Sequence, residues 1–179
     1  MSFLYHTKII PDDAVILMID PDSYFIEEAI ENLEEEEAMI VRNNLYAHAS
    51  QIVQYVTLLK SKGYQVASTP AHSYWKGFES LIDITLPGWE VHNHNGLGLH
   101  PAYYDFAKGK KLIIGGMWRE ICVFEVAHRL QSEFGQHVQL CSNDLLSISY
   151  EETYVAPEFD MFNLTQACAD YRLSMKLCG

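Results

Sequence analysis

The stretch AVILMI, residues 14–19, is a continuous apolar run that stops at the sequence Asp-Pro-Asp, residues 20–22. A short apolar run bounded by turn residues is typical of a strand that is buried on both faces of a parallel sheet. The run therefore predicts a central strand, and it leaves the carboxylate of Asp20 at the carboxyl end of that strand.

The chain that follows alternates between helix and strand patterns. From Asn43 to Lys62 apolar residues recur at spacings of three and four, Gly63 suits the end of a helix, and Tyr64 to Thr69 reads as a strand. Strand, helix and strand in this order predict a βαβ unit with parallel strands and a right-handed crossover. The same patterns predict further strands near Trp89–Asn93 and at Lys110–Ile114, His137–Ser142 and Leu173–Cys178, and further helices at Glu120–Phe134 and Phe162–Tyr171.

These elements predict a single domain over residues 1–179 with an α/β fold. We expect a three-layer α/β/α sandwich, Rossmann-like, with helices on both sides of a mostly parallel sheet. The acidic run Glu27–Glu37 reads as a solvated helix face or loop. Ligands of such sheets bind at the carboxyl ends of the strands, where the strand order reverses. Asp20 and the segment after Ile114 both occupy strand ends of this kind.

Composition excludes several classes of function. The chain has 12 Lys and Arg against 24 Asp and Glu, a formal net charge of −12, which repels nucleic-acid phosphates and anionic lipid surfaces. No apolar run approaches the roughly 20 residues that span a bilayer, and the first residues lack the pattern of a signal peptide. The four cysteines lack the spacing of a disulfide framework. We therefore expect a cytoplasmic protein that binds neither nucleic acid nor membrane.

Cys122 is the cysteine whose position suggests chemistry. It lies at the start of the helix predicted after the glycines at 115 and 116. The dipole and the unpaired N–H groups of a helix start lower the pKa of a thiol and can stabilise an oxyanion. Asp20, at a neighbouring strand end, is the candidate proton acceptor. Because cysteines at helix starts are also common as packed residues, position alone leaves both interpretations open.

Two segments resemble the isochorismatase-like cysteine hydrolases. KLIIGGMWREICV (111–123), continuing through a helix into CSNDLLS (141–147), resembles the nucleophile segment of that family. DAVILMID (13–20) resembles the segment that carries the catalytic aspartate of the family. The resemblance covers nearly the whole chain and points most closely to the small oligomeric hydrolases of unassigned substrate.

The resemblance implies an Asp, Lys, Cys triad that cleaves a C–N bond of a small amide-like molecule through a thioester-type intermediate. Asp20 takes the role of base and Cys122 that of nucleophile. The oxyanion is held near a cis peptide bond just before the cysteine, by the backbone N–H of Cys122 and of a neighbour, Ile121 or Trp118. A homo-oligomer is also implied.

The family lysine and threonine are replaced in this chain. His94, or failing that His92, stands where the lysine is expected, and Arg119 replaces a threonine common three residues before the cysteine. A histidine there is cationic at pH 7 only if Asp20 raises its pKa. Lys76, Lys108 and Lys110 are alternative cations. A catalytically degenerate member of the same fold, acting as a binding or oligomeric scaffold, therefore remains the alternative function.

Several histidines of the chain could also form a metal-binding site. His92, His94 and His100 cluster in one segment, and alternate histidines on an extended chain point the same way and could bind zinc. The Asp-x-His pair that some relatives use is incomplete, because no Asp stands two residues before His72. We expect no metal and no other cofactor, and a metal-dependent activity is a third hypothesis.

Aromatic residues surround the candidate site segments and admit two interpretations. One is a pocket for a small planar substrate, in which Trp118, Ile121, His92 and Trp75 are the candidate substrate contacts. The other is core or interface packing. The chain is also short between His94 and Lys111, so we expect a covering helix to be missing there and the exposed face to meet a partner or another copy.

Overall fold

The computed structural model describes residues 5–6, 13–89, 99–134, 139–150 and 153–154 of the chain. Several predicted features lie outside these ranges. They are most of the strand expected near 89–93, the helix expected at 162–171, the strand expected at 173–178, and the residues His92, His94, Cys168 and Cys178.

Six strands of the described residues form one sheet in which every pair of neighbours is parallel. The order across the sheet is β1-β6-β5-β2-β3-β4. The strands are β1 (Tyr5–His6), β2 (Ala14–Ile19), β3 (Gln65–Ser68), β4 (Ile84–Thr85), β5 (Lys111–Met117) and β6 (Gln139–Ile148). The prediction of an α/β fold with a parallel sheet is confirmed.

The strand order reverses between β2 and β5. From β2 the chain adds β3 and β4 on one side, and β5 and β6 are added on the other side. β2 pairs with β5 along the whole length of β2, up to the pair Ile19 and Gly116. The crevice outside these two ends is the place where ligands bind in sheets of this kind.

Helices cover both faces of the sheet. They are α1 (Ser23–Ile30), α2 (Glu35–Ser61), α3 (Pro101–Ala107) and α4 (Phe124–Phe134), with a 3-10 turn at Glu79–Leu81 and a π-helical turn at Arg119–Val123. Buried residues of α1 and α2 belong to one hydrophobic core, which we name the first core. Those of α3 and α4 belong to the second core, on the opposite face.

Helix α2 begins earlier than the sequence predicted. The predicted start was Asn43, whereas α2 starts at Glu35 and runs for 27 residues. Three glutamates, Glu35 to Glu37, fill its first turn, where negative charge interacts favourably with the helix dipole. Part of the acidic run is therefore the solvated first turn of α2.

Helix α3 corrects the expectation that a covering element is missing between His94 and Lys111. Its seven residues bury Tyr103, Phe106 and Ala107 in the second core. The ring Nδ1 of His100 accepts a hydrogen bond from the N–H of Ala102 at 3.1 Å and caps the helix. A proline follows at the first helical position, which favours a helix start. The helix is too short and too aromatic to show a clear period in the sequence.

Strands β5 and β6 extend further than predicted. β5 runs three residues past Ile114, to Met117, and β6 ends at Ile148 rather than Ser142. The two strands pair with an irregularity between Ile114 and Gly116. The chain leaving β5 therefore passes directly into the π-helical turn. In the described part of the chain, no helix has the length and apolar character needed to cross a membrane.

Candidate functional site

Asp20 and Cys122 lie at the same edge of the sheet, beside the reversal of strand order. Asp20 follows β2 directly, and Cys122 is in the π-helical turn that follows β5. Because β2 and β5 are parallel neighbours in register, the two segments leave the sheet side by side. The two strand ends that the sequence analysis selected are therefore neighbours in the sheet.

Gly116 allows the backbones of β2 and β5 to approach closely at this edge. Its φ of +125° is a conformation that side-chain-bearing residues rarely adopt. A Cβ at this position would overlap the backbone of Ile19. The two strand ends are thus held in contact immediately before the candidate site.

The carboxylate of Asp20 is buried, at 8% exposure, and each of its oxygens accepts a hydrogen bond. The hydroxyl of Thr69 donates to Oδ1 at 3.2 Å, and the indole Nε1 of Trp89 donates to Oδ2 at 2.8 Å. The backbone N–H of Asp20 in turn donates to the Thr69 hydroxyl oxygen at 2.7 Å. The residue has a φ of +49°, so the chain turns sharply here. These contacts fix the orientation of the carboxylate.

Tyr103 of α3 contacts the segment that leads to Trp89. It is fully buried, and its hydroxyl donates to the carbonyl of Pro87 at 2.7 Å. Burial, and then the charge of Asp20, raise the pKa of the Tyr103 phenol well above its ordinary value. Tyr103 therefore remains a protonated donor at every pH at which the protein is expected to work.

The π-helical turn holds Cys122 half-buried against the second core. The carbonyl of Trp118 accepts hydrogen bonds from the N–H groups of Ile121, at 3.2 Å, and Val123, at 3.1 Å. The peptide bond between Met117 and Trp118 is cis, and the resemblance implies a cis bond just before the cysteine. The Ile121 N–H, one candidate oxyanion donor, is thus already engaged within the turn.

Glu120 ties this turn to the chain leaving β6. Its two carboxylate oxygens accept hydrogen bonds from the hydroxyl of Ser149 at 2.5 Å and from the N–H of Tyr150 at 3.0 Å. Burial raises the pKa of Glu120, but these two hydrogen bonds and the nearby charge of Arg119 outweigh it and leave the pKa below its ordinary value. Arg119 Nη2 also donates to the carbonyl of Ser147 at 3.0 Å. The turn is therefore anchored on its β6 side.

Trp118 and Trp75, two candidate substrate contacts, both lie in the first core. Trp118 is 7% exposed and makes an edge contact with Tyr150 at a centroid distance of 5.2 Å. Trp75 is 1% exposed, and its indole nitrogen has no hydrogen-bond partner among the described residues. Cys122 packs against the second core instead. The side chain of Ile121 is 54% exposed beside it.

The remaining candidate cations and metal ligands are dispersed. Lys108 and Lys110 lie over the rings of Tyr104 and Phe106, at 5.5 and 4.2 Å. The exposed ring of His72 lies 3.3 Å from a carboxylate oxygen of Asp22. Within the ranges that the structure covers, no group of three or more His, Cys, Asp or Glu is placed to hold a metal ion. His92 and His94 lie outside those ranges.

Thr69 is a site residue that the sequence analysis missed, and Tyr103 and Trp89 were named only among the aromatic residues around the site, without their contacts to Pro87 and Asp20. Thr69 directly follows β3, the other neighbour of β2, so the rule that selected Asp20 could also have selected it. The contact of Tyr103 with Pro87 could not be predicted, because α3 was not expected.

The fold and the site define a class of protein: a parallel α/β protein with a fixed, buried carboxylate and a cysteine at the point where the strand order reverses. The chain matches no protein-family model, no curated protein and no solved structure. Its function is therefore inferred from the residues of the site and from the resemblance of the two sequence segments.

Proposed function

We propose that the protein is an isochorismatase-like cysteine hydrolase that cleaves the C–N bond of a small amide-like molecule, with Cys122 as nucleophile and Asp20 as base. The observation that carries the proposal is the pairing of β2 with β5 in register up to Ile19 and Gly116. It gives a carboxylate and a half-buried thiol at one edge of the sheet, beside the crevice where such folds bind ligands.

The chemistry requires the two groups to exchange one proton. The carboxylate of Asp20 accepts the thiol proton, and the sulfur of Cys122 attacks the carbonyl carbon of the substrate. The C–N bond breaks as the same proton passes to the leaving nitrogen. Water then attacks the thioester, which releases the acid and restores the thiol.

The oxyanion of each tetrahedral intermediate needs donors from the π-helical turn. As the resemblance implies, this role falls to the N–H groups of Cys122 and of a neighbour, Ile121 or Trp118, and the N–H of Ile121 would have to exchange its hydrogen bond to the Trp118 carbonyl to take part. In the proposal His94 takes the place of the family lysine, and no metal or other cofactor takes part.

The proposal also includes a cytoplasmic homo-oligomer, as the resemblance implies. Two large apolar side chains on either side of Cys122 support a contact with another copy, because Ile121 is 54% exposed and Phe124 is 52% exposed.

A second candidate function is a scaffold of the same fold without catalysis. It is favoured by the two hydrogen bonds on the Asp20 carboxylate, because donors to the ionised form stabilise it and make the carboxylate a weaker base. A protein of this kind would bind a small molecule or another copy of itself at the same crevice.

The experiment that separates the two functions is the pH dependence of iodoacetamide alkylation at Cys122, measured by peptide mass spectrometry. For the hydrolase, we expect Cys122 to react well below the ordinary thiol pKa of about 8.5, and Asp20→Asn to change the profile. Cys141 and Cys168 in the same digest serve as internal controls. A Cys122 that behaves like these two, or is inert, would reject the hydrolase in favour of the scaffold.

A further inference from the structure

We propose that Trp89 is a positioning residue whose uncharged indole N–H orients the Asp20 carboxylate toward the crevice. The inference rests on the proposed function, because it concerns the group that acts as base there. It adds a residue that the Asp, Lys, Cys pattern does not contain.

The contact itself has the geometry of a strong hydrogen bond. Trp89 Nε1 lies 2.8 Å from Asp20 Oδ2, and Asp20 is only 8% exposed. Hydrogen bonds to a charged acceptor are shorter and stronger than those between neutral groups, and burial strengthens them further. An indole N–H can only donate, and it does not titrate. It therefore holds the carboxylate in one orientation at every working pH.

The segment before Trp89 is itself fixed at two points. The N–H of Leu86 donates to the carbonyl of Ser68 at the end of β3, at 2.9 Å. The hydroxyl of the buried Tyr103 donates to the carbonyl of Pro87 at 2.7 Å. Trp89, half-buried against the second core, follows two residues later. The position of the indole is thus set by β3 and α3 rather than by a loose loop.

Thr69 completes the arrangement from the other side of the carboxylate. Its hydroxyl donates to Oδ1 at 3.2 Å while Trp89 donates to Oδ2. Two donors on different oxygens restrain the plane of the carboxylate more than either donor does alone. Loss of the indole N–H would remove one hydrogen bond to the charged form of the carboxylate, which should make the carboxylate a stronger base.

The first test observes the contact directly, without any enzyme activity. In 1H–15N spectra of the full chain, Trp89→Phe identifies the Trp89 indole resonance by its disappearance. We expect that resonance in the wild type to shift with pH as Asp20 ionises, and the shift to vanish in Asp20→Asn. If the chemical shift of the indole resonance changes neither with pH nor in Asp20→Asn, the inference is overturned.

The second test measures the consequence for Cys122. We expect Trp89→Phe to move the acidic limb of the alkylation profile upward by about 1 pH unit, since the carboxylate becomes a stronger base when a donor is lost. Thr69→Val should move it in the same direction, which keeps the test valid if one variant folds poorly. Tyr46→Phe is the matched control, because it removes a hydroxyl that donates to the surface carboxylate of Glu27 at 3.0 Å. Its profile should equal that of the wild type.

The two tests fail in different ways. Suppose that the indole resonance shifts as Asp20 ionises, but wild-type Cys122 reacts like the other cysteines. The hydrolase function and the positioning role of Trp89 are then both rejected. If Cys122 is activated through Asp20 and Trp89→Phe leaves the profile unchanged in a folded protein, the hydrolase stands and the inference about Trp89 is overturned.

Discussion

At the scale of single residues, the site brings together side chains that are all far apart in sequence. Asp20 and Cys122 could be selected from the sequence, because one ends an apolar strand and the other starts a helix. Thr69 and Trp89 touch the same carboxylate from 49 and 69 positions away in the chain. No local pattern specifies a contact over such a separation, since it depends on how β3 and the chain after β4 return to the sheet.

An alanine methyl group at position 116 should strongly lower the stability of the folded protein. We expect Gly116→Ala to destabilise the protein by about 3 kcal/mol or more, because a strained φ adds to a backbone clash. The clash is with Ile19, at the end of the neighbouring strand. Urea unfolding followed by circular dichroism measures the difference.

Gly109 provides the control for this substitution. It also has a positive φ, +71°, but within the described part of the chain a Cβ there would meet no atom of a non-adjacent residue within 4 Å. Gly109→Ala should therefore cost only the conformational strain, about 1 kcal/mol. Equal costs for the two alanines would show that the close approach of β2 and β5 is not what requires glycine at 116.

At the scale of elements, the sequence predicted those with a clear hydrophobic period and missed or shortened the others. Strand β2 and the body of α2 were predicted because apolar positions are continuous in one and recur at three and four in the other. The first turn of α2 consists of glutamates, which are stabilised by the helix dipole. Because these residues are charged, they show no apolar period in the sequence. Helix α3 is held by burial of Tyr103 and Phe106 in the second core, which depends on the tertiary fold.

The π-helical turn is the element whose anchoring should depend on pH. Glu120 has a lowered pKa in the folded protein, so it contributes stability at pH values above its ordinary value of 4.5. That contribution should be lost as the pH falls from this value through the lower folded-state pKa. We expect Glu120→Gln to destabilise the protein at pH 7 by at most about 1 kcal/mol, because the side chain is largely exposed.

Thermal unfolding of the wild type and Glu120→Gln at pH 7 and at about pH 3 checks this expectation, since the carboxylate is largely protonated at the lower pH. Ser149→Ala removes the same hydrogen bond from the other partner, so the two substitutions should be less than additive in the double variant. Full additivity, or a Glu120→Gln effect that is equally large in acid, would show that Glu120 does not anchor the turn through its charge.

At the scale of the whole molecule, β2 joins the two cores. Its residues alternate between them: Ile16 and Met18 belong to the first core, and Leu17 and Ile19 belong to the second. The sequence already indicated burial on both faces, because the run 14–19 is apolar throughout instead of alternating. What it did not contain is which helix packs on which face, since that follows from the handedness and the order of the crossovers.

A shared central strand predicts that the two cores unfold together. Ile16→Ala in the first core and Leu17→Ala in the second should each cost about 2–5 kcal/mol, because both side chains are fully buried. In each variant, the transitions measured by far-ultraviolet circular dichroism and by tryptophan fluorescence should shift together and coincide. The substitutions are made in a Trp89→Phe background, because Trp89 packs against the second core. The two remaining tryptophans, Trp75 and Trp118, then report on the first core. If Leu17→Ala moved the circular dichroism transition and left the fluorescence transition in place, the cores would be independent units, and β2 would not couple the helices of one face to those of the other.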